Sequence, residues 1–348
     1  MSGALTVSID AMGGDAGPGV VISALLRTAQ RHPEARFLLH GDEKQLNALL
    51  ARHARLRDRV AVRHAPGRVA MEDKPSLVLR RGRDTSMWHA IESVKDKEAA
   101  VAVSAGNTGA LMAVSMFGLG IIDGISRPAI ATIWPTLKGQ TVVLDVGANV
   151  GATEEQLVDF AVMGAAFAQA ILGLSQPTVG ILNVGAEEQK GHEGVKGAAQ
   201  ILRGCDLAMT FHGFVEGDDI AKGTVDVVVT DGFTGNIALK TAEGTARLVA
   251  TYLRQSLRRS LLGRVGAVIA SGALTTLRRK LDPRANAGGI FLGLNGVVVK
   301  SHGGADAVSF ASALDMAIDM AKADINARIT AGRGRITAET AGAKAAEL

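Results

Sequence analysis

Short runs of β-branched and aliphatic residues alternate with helix-period segments along nearly the whole chain, and this alternation constrains the fold more than any other feature. Strands are predicted at "TVSIDAM", "RFLLHGD", "AAVAVSA", "AIATIW", "TVVLDVG", "TVGILNV", "LAMTFHG", "VDVVVTD" and "VVVKSHG". Between most of them lie amphipathic stretches such as "GVVISALLRTAQRH", "EEQLVDFAVMGAAFAQAILG" and "HEGVKGAAQILRG". Strands that alternate with helices pair in parallel and are covered on both faces, so the sequence predicts an α/β fold with a mainly parallel sheet in three layers. No internal repeat or low-complexity linker interrupts the pattern. Residues 1–331 therefore read as one catalytic domain, and the Ala/Gly-rich stretch 332–348 as a disordered tail.

Composition narrows the function. A chain of 348 residues, 47% hydrophobic and 21% charged, suits a soluble enzyme with a large core. The single cysteine, Cys205, excludes an internal disulfide and lies in "RGCDLAM" away from any motif, which fits a structural thiol. The first residues lack a basic-then-apolar leader pattern, so a reducing cytoplasm is the expected setting. No apolar run reaches the roughly 20 residues of a membrane span. A net charge of +4 suits acidic partners such as phosphates, anionic lipid or an acidic carrier protein. Nucleic acid fits poorly, because single-strand binding uses aromatic platforms and only 3% of the residues are aromatic.

The informative residues follow the strands. Six loops combine glycine with Asp, Asn, Ser, Thr or His: "DAMGGD" (Asp10, Gly13, Gly14, Asp15), "SAGNTGA" (Ser104, Gly106, Asn107, Thr108, Gly109), "DVGAN" (Asp145, Asn149), "NVGAEE" (Asn183), "TDGFTGN" (Asp231, Gly232, Thr234, Gly235, Asn236) and "SHGGAD" (His302). In open α/β sheets ligands sit outside the carboxyl ends of the strands, so the six are expected to converge on one cleft. Glycine permits close backbone approach and helix N-termini attract anions, which makes phosphate the expected ligand. Taken singly, each loop is equally well explained as a plain turn or helix cap. Neither G-x-G-x-x-G after a strand nor G-x-x-x-x-G-K-[ST] occurs, so no nucleotide cofactor is expected. The spacing of Asp10, Asp15, Asp145 and Asp231 matches no zinc or EF-hand pattern, and no obligatory metal is expected.

In this order, "IDAMGGD", "VSAGNTGA", "LDVGAN", "LNVGAEEQKG", "VVVTDGFTGN" and "LGLNGVVVKSHG" resemble the bacterial acyl-[acyl carrier protein]:phosphate acyltransferases of phospholipid synthesis. The resemblance runs from about Ile9 to the helix after His302. It implies a fold akin to isocitrate and isopropylmalate dehydrogenases and to phosphotransacetylase, a homodimer, and conversion of acyl-carrier thioester plus inorganic phosphate to acyl phosphate. It also implies peripheral membrane contact and passage of the product to a downstream glycerol-phosphate acyltransferase. Two stretches depart from the pattern: Phe214 in "FHGFVEG", where the pattern has Asn, and "ANAGGIF" from Ala285.

Attack of phosphate on a thioester requires a held, partly desolvated phosphate, a donor for the developing oxyanion and an exit for the thiolate. Phosphate brings its own nucleophilic oxygen, so no serine–histidine pair is needed. Amides around Gly106 and Gly109, with Ser104, Asn107 and Thr108, supply neutral donors. Asn183, Asn236 and the amides of "GFTG" either hold a substrate oxygen or cap their helices. Lys190 in "EEQKGHEG" is the economical cation for neutralising phosphate or stabilising the tetrahedral oxyanion. His302 either donates to phosphate or the thiolate, or is a satisfied turn residue.

Residues 244–281 differ from their surroundings: Arg247, Arg254, Arg258, Arg259, Arg264, Arg278, Arg279 and Lys280 occur without one acidic residue, around an uncharged "VGAVIASGALTTL". A basic amphipathic helical hairpin is predicted, with Val265, Val268, Ile269 and Leu274 at its apolar centre. It serves a partner subunit, an anionic membrane or the acidic carrier. Three rival functions remain at this level: a phosphotransacetylase using short acyl-CoA, a metal- and NAD-dependent decarboxylating dehydrogenase, and a non-catalytic phosphate- or lipid-binding regulator.

Overall fold

A computed structural model describes residues 5–281 and 288–346; Ala285 lies outside them. The described strands are β1 (Thr6–Asp10), β2 (Arg36–Gly41), β3 (Val60–His64), β4 (Val101–Ser104), β5 (Ala129–Thr136), β6 (Gly139–Leu144), β7 (Thr178–Leu182), β8 (Thr210–Val215), β9 (Val227–Val229), β10 (Gly288–Leu292) and β11 (Val297–Ser301). The helices are α1 (Pro18–Arg31), α2 (Glu43–Leu50), α3 (Pro75–Arg81), α4 (Ser86–Lys95), α5 (Thr108–Leu119), α6 (Glu154–Ile171), α7 (Glu193–Arg203), α8 (Gly217–Lys222), α9 (Gly232–Arg258), α10 (Leu261–Ile269), α11 (Ser271–Leu281), α12 (Ala307–Lys322) and α13 (Ile325–Ala346).

All eleven strands join one sheet in the order β3-β2-β1-β4-β11-β10-β5-β6-β9-β7-β8. The first five are mutually parallel, and so are the last four. Between them, β10 runs antiparallel to both β11 and β5, and β5 runs antiparallel to β6. The three reversals leave the two parallel groups pointing in opposite directions. The sheet is thus mainly parallel, as the alternation predicts, but it is built as two opposed halves.

Helices cover both faces. One core layer joins Leu25 of α1, Phe160 and Phe167 of α6, Leu202 of α7 and Phe310 and Leu314 of α12 to Ile9, Val103 and Val299 of the sheet. The other joins Val78 of α3, Trp88 and Ile91 of α4, Leu111 of α5 and Ile220 of α8 to Ala102 and Val298. Neighbouring residues of one strand thus serve opposite layers, the period-2 signature of a sheet buried on both sides. Phe214 is buried on β8 within the first layer, so this departure from the resembling pattern is core packing. Cys205 is half-buried against the same layer.

Helix α6 shows how local chemistry sets an element. Thr153 Oγ1 accepts from the Gln156 amide and the Gln156 side chain accepts from the Thr153 amide, a capping box. The helix then buries every residue from Leu157 to Ala168. One of them, Asp159, accepts from the Ser126 amide and hydroxyl and pairs with Arg333 of α13 at 2.9 Å. Helix α13 continues to Ala346, through the stretch where the sequence predicts a tail; its alanines are strong helix formers.

Helix α9 touches the second layer through Leu239 and otherwise stands clear of both. Of its 27 residues only Gly232 and Gly235 are buried, and α10 buries none. The predicted hairpin is therefore an arm of α9 followed by two short helices. A Cβ at Gly235 would lie 1.9 Å from the Asp145 carbonyl oxygen, whereas one at Gly244 would meet nothing within 4 Å. Gly235→Ala should therefore cost about 3 kcal/mol, the upper end for overpacking, because backbone cannot move aside as a side chain can. Gly244→Ala should instead add about 0.5–1 kcal/mol. Urea unfolding followed by circular dichroism should show midpoints shifted in opposite directions.

Candidate active site

The six glycine loops fall into groups at the ends of the two half-sheets. The first group is organised by Asp10 at the end of β1. Its Oδ1 accepts from Ser86 Oγ at 2.6 Å and from the Met12 amide at 3.3 Å, and its Oδ2 accepts from Ser104 Oγ at 2.7 Å. Ser104 Oγ in turn accepts from the Gly106 amide at 3.0 Å. Gly13 lies so close that a Cβ there would stand 2.8 Å from the Gly106 nitrogen. The Asp15 amide donates to Gly303 O at 2.9 Å, and Gly14, at φ 85°, leaves no room for a side chain against that same oxygen. "DAMGGD", "SAGNTGA" and "SHGGAD" are thus one interlocked unit. Burial pushes the Asp10 carboxyl above the usual carboxylate range, against the pull of the Ser104 and Ser86 hydroxyls.

Asn107 takes a different role from the one the sequence assigns. Its Oδ1 accepts from the Ala110 amide at 3.0 Å and caps α5, while Nδ2 donates to Met71 O at 2.7 Å and Asp73 O at 3.1 Å. Both ends of the amide are spent on the fold. The first turn of α5, at Thr108 and Gly109, retains backbone N–H groups that no helical carbonyl can accept.

Asp145 organises the second group. Oδ1 accepts from the amides of Ile130 (3.0 Å), Gly147 (3.1 Å) and Ala148 (3.0 Å), and Oδ2 accepts from Asn149 N (2.7 Å) and Nδ2 (2.9 Å). Asn149 Nδ2 also donates to Pro128 O. Burial raises the Asp145 pKa and these donors oppose the rise. The Gly232 amide donates to Asn149 O at 2.8 Å, which seats α9 on the loop. Asp231 caps α9 by accepting from Thr234 N at 2.9 Å and Oγ1 at 2.7 Å, and a Cβ on Gly147 would come within 3.7 Å of Asn236 Oδ1.

The Asn183 loop stands apart. Asn183 Nδ2 donates to Lys190 O at 3.0 Å, and Lys190 Nζ pairs with Glu187 at 2.9 Å, which raises the lysine pKa. Among the described residues, no hydrogen bond or ion pair ties this loop to the Asp10 or Asp145 units.

Helix α9 connects the two halves. It starts at the Asp145 unit, and two turns on Lys240 Nζ lies 3.2 Å from His302 Nε2 of the Asp10 unit. Glu243, largely buried, pairs with Lys240 at 3.0 Å, with Arg247 at 3.5 Å and with His302 at 3.5 Å. From Gly232 to Lys240 is eight residues, about 12 Å of helix, so α9 spans from one unit to the other. Sheet twist makes this compatible with the strand reversal: β4 and β9 are five steps apart, and at about 20–25° per step the halves are turned by about 110°. Burial, then Lys240, lowers the His302 pKa.

Four polar residues of this site have no counterpart in the loop motifs: Ser86, Lys240, Glu243 and Lys300. Lys300 precedes its loop, within β11, and its Nζ donates to Ala105 O at 3.3 Å and to Ser301 O. The available signal was a lysine inside "VVVKS", an apolar strand. No group of three or more His, Cys, Asp or Glu suited to a metal occurs among the described residues.

The fold is similar to that of the phosphotransacetylases. The EutD phosphotransacetylase from Staphylococcus aureus matches with a TM-score of 0.59 at 16% identity, over 91% of this chain and 94% of that one. A 4-hydroxythreonine-4-phosphate dehydrogenase from Klebsiella pneumoniae matches with a TM-score of 0.51 at 15% identity, over 92% and 98%. Sequence gives the finer placement. Residues 5–328 match the family model described as fatty acid synthesis protein, and the chain belongs to that family. The phosphate acyltransferase of Parvibaculum lavamentivorans is 56% identical over 341 residues, 98% of this chain and 94% of the relative. That of Caulobacter vibrioides is 52% identical over 347 residues, 100% and 96%.

Asn107→Ala should lose the α5 cap and the tether to Met71 and Asp73. The expected cost is about 1 kcal/mol for the cap, seen as a lower Tm. Steady-state assays should show the KM values for phosphate and acyl donor changing together; a rise for phosphate alone would return the amide to the ligand.

Proposed function

We propose that the chain transfers a fatty acyl group from the thioester of an acyl carrier protein to inorganic phosphate, giving acyl phosphate for phosphatidic acid and phospholipid synthesis. One observation supports this above the rest: the Asp10 unit and the Asp145 unit, both rich in backbone amides, are joined by α9, which is seated on one and touches His302 of the other. The family's named phosphate acyltransferases agree with it.

The reaction needs positioning more than activation. A phosphate oxygen attacks the thioester carbonyl carbon, a C–O bond forms, and the tetrahedral oxyanion collapses with cleavage of the C–S bond; the carrier thiolate then takes a proton. The glycine-rich turn from Ser104 to Gly109, with Gly13 and Gly14 beside it, offers neutral donors to phosphate. Lys190, on the loop that follows β7 at the same sheet edge as the Asp145 unit, meets the oxyanion, with Asn183 holding that loop through Lys190 O. Lys190 must leave Glu187 to do so, and an exposed pair of this kind breaks readily. His302, half-exposed and disfavoured as a cation by burial and Lys240, is the neutral base that takes the proton of the attacking phosphate and hands it to the departing thiolate. A short acyl-CoA donor would share the phosphate chemistry, and a regulator would bind phosphate without turnover. Incubation with long-chain acyl carrier protein or acetyl-CoA, followed by mass spectrometry for acyl phosphate, separates the three.

Lys190→Ala should lower turnover roughly a hundredfold with the far-ultraviolet spectrum unchanged, by analogy with the loss of one oxyanion donor. Near-normal turnover would remove Lys190 from the mechanism.

The arm supplies the partner surface. Leu261, Leu262, Val265, Val268 and Ile269 are exposed within nine residues, Arg258, Arg259 and Arg264 flank them, and Leu274 is half-buried. No described helix is long and apolar enough to cross a membrane. The reading is of a cytoplasmic protein held peripherally on anionic lipid, homodimeric, and close to the glycerol-phosphate acyltransferase that consumes its product. Val268→Asp with Ile269→Asp should abolish co-sedimentation with anionic vesicles while turnover on soluble donor persists. If vesicle binding survives and size-exclusion chromatography shows a dimer split into monomers, the patch is a subunit interface instead.

A further inference from the structure

We propose that the Lys300 ammonium is the cation that receives the phosphate nucleophile, with the first turn of α5 as the neutral side of the same site. The proposal rests on the acyl-to-phosphate reading above. Its geometry begins in the sheet. Lys300 of β11 is in register with Ser104 of β4, and Ser104 with Asp10 of β1. The three form a row across adjacent parallel strands and project to one face, where the strands otherwise present Ala102 and Val298.

The fold gives Lys300 no direct ion pair among the described residues; Asp10 and Asp15 act on it only at longer range. Nζ reaches two carbonyl oxygens, those of Ala105 and Ser301, and among the described residues no carboxylate lies within ion-pair distance. Lys300 is half-buried, its two carbonyl partners take two of its three N–H groups, and the third is left for a ligand or water. The nearby carboxylate of Asp10 is occupied by Ser86, Ser104 and the Met12 amide. Of the other lysines assigned to the site, Lys240 is paired with Glu243 and Lys190 with Glu187. An anion beside the turn at Ala105 would complete the shell of Lys300, and the first turn of α5 offers amides to the same anion.

The charge balance around Lys300 gives a test that a purely structural lysine fails. Burial lowers its pKa to about 8; Asp10 and Asp15 oppose the shift, and Lys240 on α9 adds to it. Lys300 is therefore protonated below about pH 8 and neutral above it. With kcat/KM for phosphate followed from pH 6.5 to 9.5, the wild-type value should fall as pH rises through about 8. In Lys300→Arg that fall should disappear from the range, because guanidinium stays charged. Lys300→Met should raise the KM for phosphate roughly tenfold to a hundredfold, the factor expected for one charge-assisted hydrogen bond. Its KM for acyl carrier protein should stay within about twofold, and calorimetric titration with inorganic phosphate should show matching weakening.

A Met variant that titrates phosphate like the wild type overturns the proposal, as does a wild-type profile that the Arg variant reproduces. Should the Met variant fail to fold, the two pH profiles decide. A wild-type protein that binds phosphate through Lys300 but makes no acyl phosphate would sink the reaction and leave this site standing. Normal acyl phosphate synthesis with an unaltered Met variant would do the reverse.

Discussion

Three antiparallel junctions, at β11–β10, β10–β5 and β5–β6, govern the rest of the molecule. They divide a parallel sheet into halves that point opposite ways, so the loops at the strand ends belong to two sets. A flat sheet would carry those sets to opposite edges. Helix α9, which starts on one set and touches His302 of the other, is what links them.

Each half closes its loops around one buried aspartate at a strand end. Asp145 is saturated by backbone amides and one asparagine, whereas Asp10 is held largely by the hydroxyls of Ser86 and Ser104. In neither case is the carboxylate offered to a ligand. Both serve as acceptors around which glycine backbone can be drawn tight, and glycine is required because a Cβ at Gly13 or Gly232 would strike a neighbouring loop. The polar richness of the motifs is therefore partly a demand of folding, and the groups left to meet substrate are backbone amides and a few cations.

Nine of the eleven described strands were legible from apolar runs. The missed strands have physical reasons: β3 is an edge strand whose residues are half or fully exposed, and β10 opens on two glycines that weaken any strand signal. Parallel pairing was legible from alternation, but the reversal was not, because it is set by which strands neighbour one another in space. Among the candidate site residues, the motifs point to Asp10, Ser104, Asp145 and His302, and the fold links Asp10 to Ser104 by hydrogen bond and brings α9 from the Asp145 loop to His302. They misjudged Asn107, since the carbonyls of Met71 and Asp73 that claim its amide lie more than 30 residues away in sequence. Lys240 and Glu243 were hidden in a helix whose first turn drew the attention, and their meeting with His302 depends on the tertiary path of α9.

That path has a mechanical side. Taken as a straight rod, α9 is about 40 Å long, pinned near one end by Gly232 and Gly235 and touching His302 about 12 Å along. A tilt of about 5° about the pinned end moves the far end by about 3.5 Å but the Lys240 contact by only about 1 Å. The ratio acts as a reduction gear: broad displacement at the tip arrives at the Lys240 contact as a movement comparable with the slack in one hydrogen bond. Thermal sway of a free tip would therefore be damped at His302, and a tip held fast would hold His302 in register.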